Sequence, residues 1–226
     1  MAKTYAIAID GPAGAGKSTM AKRLAKELGF MYVDTGAIYR TVAYFFDLWG
    51  VSPKDIDNIT RYIDELTIGI EYDADGLQHM IMNGMDVTND IRTQDISQKA
   101  SLVSAHAIVR EMLLDMQRDV AKTYNVVMDG RDIGTVVLPK ANVKIFLTAS
   151  PEVRAKRRTD ELAAKGQKAD YNKILQEIKQ RDYQDTHREI APLKLARDSI
   201  KLDTSEMNID EVIAEMKRII GEKIPV

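Results

Sequence analysis

Gly11-Pro12-Ala13-Gly14-Ala15-Gly16-Lys17-Ser18 follows the apolar run Tyr5-Ala6-Ile7-Ala8-Ile9 and leads into Ser18-Thr19-Met20-Ala21-Lys22-Arg23-Leu24-Ala25-Lys26-Glu27-Leu28, which Gly29 stops. Strand, glycine-rich turn, Lys-Ser and helix, in that order, are what a phosphate-binding loop needs to function. Gly11, Gly14 and Gly16 open backbone conformations closed to residues with a Cβ, so successive N–H groups can converge on phosphate oxygens. The helix behind the loop adds its unsatisfied N-terminal N–H groups and the positive end of its dipole. Lys17 reaches the β- and γ-phosphates as a point charge, and the Ser18 hydroxyl suits Mg²⁺. Gly11, Pro12, Ala13, Gly14, Ala15, Gly16, Lys17 and Ser18 are therefore the candidate triphosphate-binding residues, with Ser18 the candidate metal ligand. A plain turn between strand and helix would explain the glycines but not Lys17-Ser18.

Outward from the loop, strands are expected at residues 5–10, 31–33, 126–129, 143–147 and 200–203, short and rich in β-branched residues, with helical segments between them. That alternation predicts an α/β fold in which helices cover both faces of a parallel sheet. A helix is expected from Pro151 toward Lys165 with Ser150 as its N-cap. Another opens at Asn208, with Glu211 completing a capping box, and runs to Ile220 before Gly221. One region breaks the rhythm: residues 67–72, 77–82 and 85–87 read as three short antiparallel strands, joined by turns at Asp73-Ala74-Asp75-Gly76 and Asn83-Gly84. Residues 51–100 carry ten Asp or Glu against four Lys or Arg, so this insertion is acidic and a poor place to expect phosphate.

At 226 residues the chain suits one α/β domain with an insertion or lid. A net charge of −2 with 29% charged residues gives no global basic bias toward nucleic acid, so partners must be sought in local charge. The absence of cysteine excludes disulfides, thiol nucleophiles and thiolate-bound metals, and is compatible with a reducing cytosol. Zinc is not expected, because His79, His106 and His187 are isolated in sequence. Met1-Ala2-Lys3 passes directly into the first strand without the regions of a signal peptide, and no apolar run approaches the ~18 residues of a membrane span. A cytoplasmic protein is expected.

Arginines narrow the acceptor. Asp34-Thr35-Gly36-Ala37-Ile38-Tyr39-Arg40 follows the second strand and Asp129-Gly130-Arg131-Asp132-Ile133-Gly134-Thr135 the third, both at carboxyl ends of parallel strands, where open α/β sheets bind ligands. In Arg181-Asp182-Tyr183-Gln184-Asp185-Thr186-His187-Arg188, a helix continuing from Asn172 would put residues 181, 185 and 188 on one face. Two guanidiniums bracketing a carboxylate can clamp phosphates and accept from a sugar hydroxyl; a salt-bridged helix surface is the plainer reading. Arg154 and Arg158 share a face of the 151–165 helix beside Lys156 and Arg157, as a lid closing over a transferring phosphoryl would require.

The runs Ile9 to Thr19, Asp34 to Arg40, Asp90-Ile91-Arg92-Thr93, Asp129 to Val137 and Ala191-Pro192-Leu193 together resemble the bacterial cytidylate kinases of the nucleoside monophosphate kinase superfamily, in family order and over nearly the whole chain. The resemblance implies a P-loop NTPase-like fold and direct in-line transfer of the γ-phosphoryl of ATP to CMP or dCMP, with Mg²⁺. It implies a core (1–35, 120–150, 195–226), a monophosphate-binding region (36–119) holding the β insertion at about 66–88, and a lid at about 154–170. Thr19 joins the ATP loop, and Arg154 and Arg158 are expected on ATP as well. Arg40, Arg131 and Arg188 are expected on the CMP phosphate, Thr35 near the nucleotide, Ser101, Arg110 and Asp132 on the cytosine edge, and Asp185 on the sugar. Asp132 can accept from the cytosine amino group, where uracil would present a carbonyl oxygen. Lys17, Arg131, Arg158, Arg181 and Arg188 form the expected catalytic set, with Arg154, Arg158 and Arg181 neutralising charge as the lid closes. Position 35 is often serine in relatives, and Thr35 keeps the hydroxyl; Gln184 stands where some relatives carry arginine. A monomer with no nucleic-acid or membrane partner is expected.

Three other readings share parts of this pattern. A GTPase needs a guanine-reading Asn-Lys-x-Asp, and Asn172-Lys173-Ile174-Leu175 lacks its aspartate. A kinase for shikimate or a sugar acid would share the core without needing the insertion. A module that merely holds ATP would leave the arginine groups idle.

Overall fold

The computed structural model describes residues 4–225, so the Met1-Ala2-Lys3 reading lies outside the described residues. In chain order, β1 (Ala6–Asp10) feeds α1 (Lys17–Leu28), and β2 (Met31–Asp34) feeds α2 (Thr35–Leu48). Next come α3 (Ile56–Tyr62), β3 (Ile68–Tyr72), β4 (Gln78–Met82), β5 (Met85–Asp86), α4 (Gln94–Val103) and α5 (Ala107–Thr123). The chain finishes through β6 (Val126–Gly130), β7 (Val143–Thr148), α6 (Pro151–Ala164), α7 (Tyr171–His187), β8 (Ile200–Asp203) and α8 (Ile209–Gly221).

Five strands form a parallel sheet in the order β2-β6-β1-β7-β8. Its apolar residues divide between two cores because successive side chains on a strand point to opposite faces. Ala8 packs with Val33, Ile38, Phe45, Phe46 and Leu113 on one face, while its neighbours Ile7 and Ile9 pack with Leu24, Leu147, Ile213 and Met216 on the other. Burial on both faces is why these strands read as continuous apolar runs. The register pairs Asp10 with Gly130 and Asp34 with Asp129, so three neighbouring strands end level and deliver their carboxyl-terminal residues to one edge.

The loop after β1 crosses the tip of β7 very closely. A Cβ on Gly11, whose φ is 151°, would lie 1.9 Å from the Leu147 carbonyl oxygen, so only glycine fits. Ser150 caps α6 by accepting from Val153, and Asn208 with Glu211 forms the expected capping box of α8.

The insertion is the antiparallel sheet β3-β4-β5. Its apolar side joins the first core through Met80 and Met82. Gln78 exchanges two hydrogen bonds with the backbone of Asp34: the Asp34 N–H donates to Gln78 Oε1 at 2.8 Å, and Gln78 Nε2 donates back at 3.3 Å. The insertion thus braces the end of β2. The helices α2 to α4 open on the caps Asp34, Asp55 and Thr93, and with α5 they pack around the insertion and the first core.

One expectation needs correction. Arg188 does not continue the helical face of Arg181 and Asp185, because α7 ends at His187 and Arg188 is its extended C-cap, with φ −63° and ψ 142°. His79 is isolated in sequence but not in space, since Asp86 lies 2.8 Å from Nδ1 and Asp73 3.3 Å from Nε2. No group of three or more His, Cys, Asp or Glu is placed to hold a metal among the described residues, and none of their helices is long and apolar enough to cross a membrane.

Asp86, with Asp73, raises the His79 pKa above its usual 6.5. The imidazolium therefore supports the insertion fully below pH 6.5, and that support is lost as pH rises through the raised folded-state value. An NMR titration of the His79 ring protons should give a midpoint above 6.5, and Asp86→Asn should bring it down. An unmoved midpoint in the variant would count against this pairing.

Candidate active site

The loops at the carboxyl ends of β1, β2 and β6 converge on one cleft of about 1050 Å³, lined by the phosphate loop, the starts of α1, α2 and α8, the turn after β6 and faces of α4 to α7. Gly14 and Gly16 both hold left-handed backbones, with φ 73° and 86°, which bends the loop around to the N-terminus of α1. Lys17 is buried, and its Nζ donates to the Pro12 carbonyl oxygen at 2.8 Å. Burial and the neighbouring Arg131 guanidinium push this ammonium well below the usual lysine range. An arriving phosphate would reverse that, because it supplies the charge that the site lacks. Thr19 follows on the exposed side of α1.

The Ser18 hydroxyl donates to Asp129 Oδ2 at 2.9 Å, and the buried Tyr32 hydroxyl donates to Asp129 Oδ1 at 2.7 Å. Thr35 Oγ1 donates to the Asp129 carbonyl oxygen at 2.7 Å. Burial, together with Asp34, pushes the Asp129 carboxyl upward. Asp129, which the sequence reading quoted at the head of its run without giving it a role, thus gathers two hydroxyl donors on its carboxylate beside the phosphate loop. Its signals in the sequence were its place at the end of an expected strand, two residues before Arg131, and at the start of the Asp129 to Val137 run.

On the other side of the cleft the arginines are interleaved with carboxylates. Arg40 donates to Asp34 Oδ2 at 3.0 Å, while Asp34 Oδ1 caps α2 by accepting from Ala37 N at 2.8 Å. Arg131 Nε donates to Asp185 Oδ2 at 2.8 Å, and Ser101 Oγ to Asp185 Oδ1 at 3.4 Å. Burial alone would raise Asp185, but Arg131, Arg181 and Arg188 outweigh it and hold the carboxyl below its ordinary value. Asp132 accepts from Arg110 through Oδ2 and from Arg188 through Oδ1, the latter at 3.3 Å. Arg188 is held further by its Nε bond to the Ala191 carbonyl oxygen at 2.7 Å, and Ala191 itself adopts φ 48°. Ser101 from α4, Arg110 from α5 and Asp132 after β6 all line the cleft, Arg110 paired with Asp132 and Ser101 turned to Asp185.

Positive charge exceeds what these partners satisfy. Arg40 Nε and Arg181 Nε are buried without any hydrogen-bond partner. Burial and the repulsion of Arg131 lower the Arg181 pKa to about 10. Buried polar groups are normally paired, and both arginines line the cleft, so this side of it is short of negative charge.

The pair expected on a lid divides. Arg154 is only 2% exposed. It donates to the Ala149 and Ala13 carbonyl oxygens, each at 2.9 Å, and to both oxygens of Asp182 at 3.0 and 2.5 Å. It therefore fastens the phosphate loop to α6 and α7, and its side chain is not a free cation on a moving surface. Arg158 lines the cleft with its guanidinium paired to Glu161 at 2.8 Å on the open side, and Arg157 turns to the Thr204 carbonyl oxygen at 2.6 Å. Helical spacing put residues 154 and 158 on one face but could not say how deeply each is buried.

A phosphate loop at the level tips of a five-stranded parallel sheet, opposite a guanidinium-lined recess, defines a P-loop kinase. Residues 7–222 match the family model for cytidylate kinase. A cytidylate kinase from Carboxydothermus hydrogenoformans is 50% identical over 217 residues, covering 96% of this chain and 97% of that protein. One from Clostridium tetani is 45% identical over 218 residues, covering 96% and 94%. The chain belongs to the cytidylate kinase family. The crystal structure of an uncharacterized protein from Eubacterium ventriosum aligns with a TM-score of 0.52 at 13% identity, over 96% of this chain and 99% of that one, a likeness of fold alone.

Proposed function

We propose that this chain transfers the γ-phosphoryl group of ATP to CMP and dCMP, yielding ADP with CDP and dCDP. The observation that carries this reading is the pair of orphan guanidinium N–H groups, Arg40 Nε and Arg181 Nε, buried in the cleft that also holds the phosphate loop. One nucleotide's phosphates lie on the loop amides and Lys17, and the other's phosphate lies against Arg40, Arg131 and Arg188. Phosphoryl transfer through a loose transition state is mostly positioning and charge neutralisation, so no covalent enzyme intermediate and no strong base is required. Arg131 and Arg181 stand between the two phosphate sites, and Arg158 adds charge from α6.

The Ser18 hydroxyl and the Asp129 carboxylate it donates to are hard oxygen donors beside the phosphate loop, a set that fits Mg²⁺. When bound, the cation neutralises charge on the β- and γ-phosphate oxygens. On the acceptor side, Ser101, Arg110 and Asp132 present one hydroxyl, one guanidinium and one carboxylate to the base, and Asp185 takes the sugar hydroxyl. Asp132 favours cytosine because the exocyclic amino group donates to it, whereas the uracil carbonyl would repel it. The core, monophosphate-binding region and lid divide as the resemblance implies, with the inner arginine of the lid fixed rather than mobile. The protein acts in the cytoplasm as a monomer, with no nucleic acid or membrane partner.

A coupled assay of ADP release with MgATP and, in turn, CMP, dCMP, UMP, AMP and shikimate tests this reading. CMP and dCMP should give the fastest turnover, with UMP well below them. Preference for shikimate would point to another acceptor class, and no acceptor-dependent turnover would point to a module that only holds ATP.

A further inference from the structure

Asp10 is the last residue of β1, immediately before Gly11 of the phosphate loop, and is only 3% exposed. Its side chain points away from the loop's ligand face, toward the turn after β6. Oδ1 accepts from the Ile133 N–H and Oδ2 from the Gly134 N–H, each at 2.7 Å. Those two amides open a π-helical turn over residues Ile133–Val137, whose later N–H groups from Val136 and Val137 return to the Asp132 carbonyl oxygen at 2.8 and 3.1 Å. The residues just before this turn are Arg131 and Asp132, the guanidinium and carboxylate facing the acceptor. One carboxylate therefore joins the root of the donor loop to the base of the acceptor turn, without lining the cleft itself.

We propose that Asp10 is a positioning residue for the acceptor half of the reaction, holding the turn that carries Arg131 and Asp132 in register with the strand that carries the phosphate loop. This rests on the acceptor reading above. The chemistry requires a carboxylate, because two converging N–H donors need two acceptor oxygens. An asparagine of the same shape would offer one oxygen and turn its own N–H₂ against the second donor. Space is equally restrictive: a Cβ on Gly134 would lie 3.2 Å from Asp10 Oδ2 and 3.1 Å from Lys144 Cδ. Burial, aided by Asp132, outweighs the two backbone donors and Lys17 and leaves Asp10 raised to about 6. With an N–H donating to each oxygen, the turn is built to hold the carboxylate form. Lys144 backs the turn, its own Nζ held by the Pro139 carbonyl oxygen at 2.6 Å and Asp198 at 2.8 Å.

The test is Asp10→Asn, measured for KM and kcat with CMP, for MgATP affinity by isothermal titration, and for thermal midpoint. Displacement of the acceptor turn by a fraction of an ångström should raise the KM for CMP and lower kcat, each by about tenfold or more, with MgATP affinity within about twofold of wild type. Unchanged kcat and CMP KM, with only a lower thermal midpoint, would reduce Asp10 to a structural residue and overturn the proposal. Parallel weakening of MgATP would also overturn it, since Asp10 would then be holding the donor loop. Gly134→Ala strains the same joint from the opposite side and should give the same split, so it decides the matter should Asp10→Asn not fold. Failure of the acceptor reading itself would show differently, as wild-type protein that does not turn over CMP.

Discussion

Replacing Arg131 by alanine is expected to lower kcat by about three orders of magnitude while changing MgATP affinity by less than about twofold. Arg131 follows directly from β6 and reaches Asp185 through Nε, leaving the outer edge of its guanidinium for phosphate. A charge-neutralising arginine at a transferring phosphoryl contributes little to the bound ground state of the donor and much to the transition state, hence the loss in kcat. Stability should fall less. Alanine removes the partner of a buried carboxylate, which by itself costs about 3 kcal/mol, but it also relieves the repulsion that Arg131 exerts on Lys17 and Arg181. Arg131→Lys keeps the charge and loses the planar fork, so it should fall between wild type and alanine. Steady-state kinetics with CMP and calorimetry with MgATP separate these effects. Turnover of the alanine variant within tenfold of wild type would remove Arg131 from the catalytic set.

Asp132→Ala is expected to damage both stability and choice of base. The carboxylate is buried between Arg110 and Arg188, whose side chains are 8% and 9% exposed and whose other partners, Ser104, the Ala191 carbonyl oxygen and the Tyr39 ring, carry no charge. Deleting it leaves two like charges facing each other out of water, at a cost of about 3 to 5 kcal/mol. The thermal midpoint should drop accordingly. Discrimination should fall as well, because the group that accepts from the cytosine amino hydrogens is gone. The ratio of kcat/KM for CMP over UMP is expected to shrink about 100-fold, within the range that polar readout supplies. Asp132→Asn keeps the volume and an acceptor oxygen while adding an N–H₂ able to donate to the uracil carbonyl, so it should shift preference toward UMP with a smaller stability loss. A CMP to UMP ratio unchanged in both variants would show that Asp132 serves the arginines alone.

Much of the fold was legible because its signals are local. The five sheet strands lie within a residue or two of their expected bounds, and the caps at Ser150 and Asn208 form as read. Strand propensity, glycine turns and capping depend on neighbours a few residues away, which a sequence displays directly. The helices between residues 35 and 123 were far less legible. Their apolar faces are shaped by packing onto the sheet and onto Met80 and Met82 of the insertion, contacts that no short window contains.

The candidate site divides along the same line. Lys17 and Ser18 announce themselves, but Ser18 is 111 residues from Asp129, and Arg131 is 54 from Asp185. Arg154 is the instructive correction. Its place at helical spacing from Arg158 was read properly, yet its guanidinium is buried against Asp182 and the Ala13 carbonyl oxygen, fastened to the phosphate loop instead of standing free on a face above the transferring phosphoryl. Spacing reports which residues share a helix face; only packing reports what that face meets.

Sequence alone determined the phosphate loop, the strand and helix around it, the parallel α/β class and the roster of arginines, because each is written in short-range pattern and steric necessity, as at Gly11. Tertiary structure decided which carboxylate accompanies each guanidinium, which N–H groups are left over for an anion, and that Asp10 ties the two halves of the cleft together. Those pairings depend on sheet register and on burial in a medium where an unmatched charge is expensive, and neither quantity exists until the chain has folded.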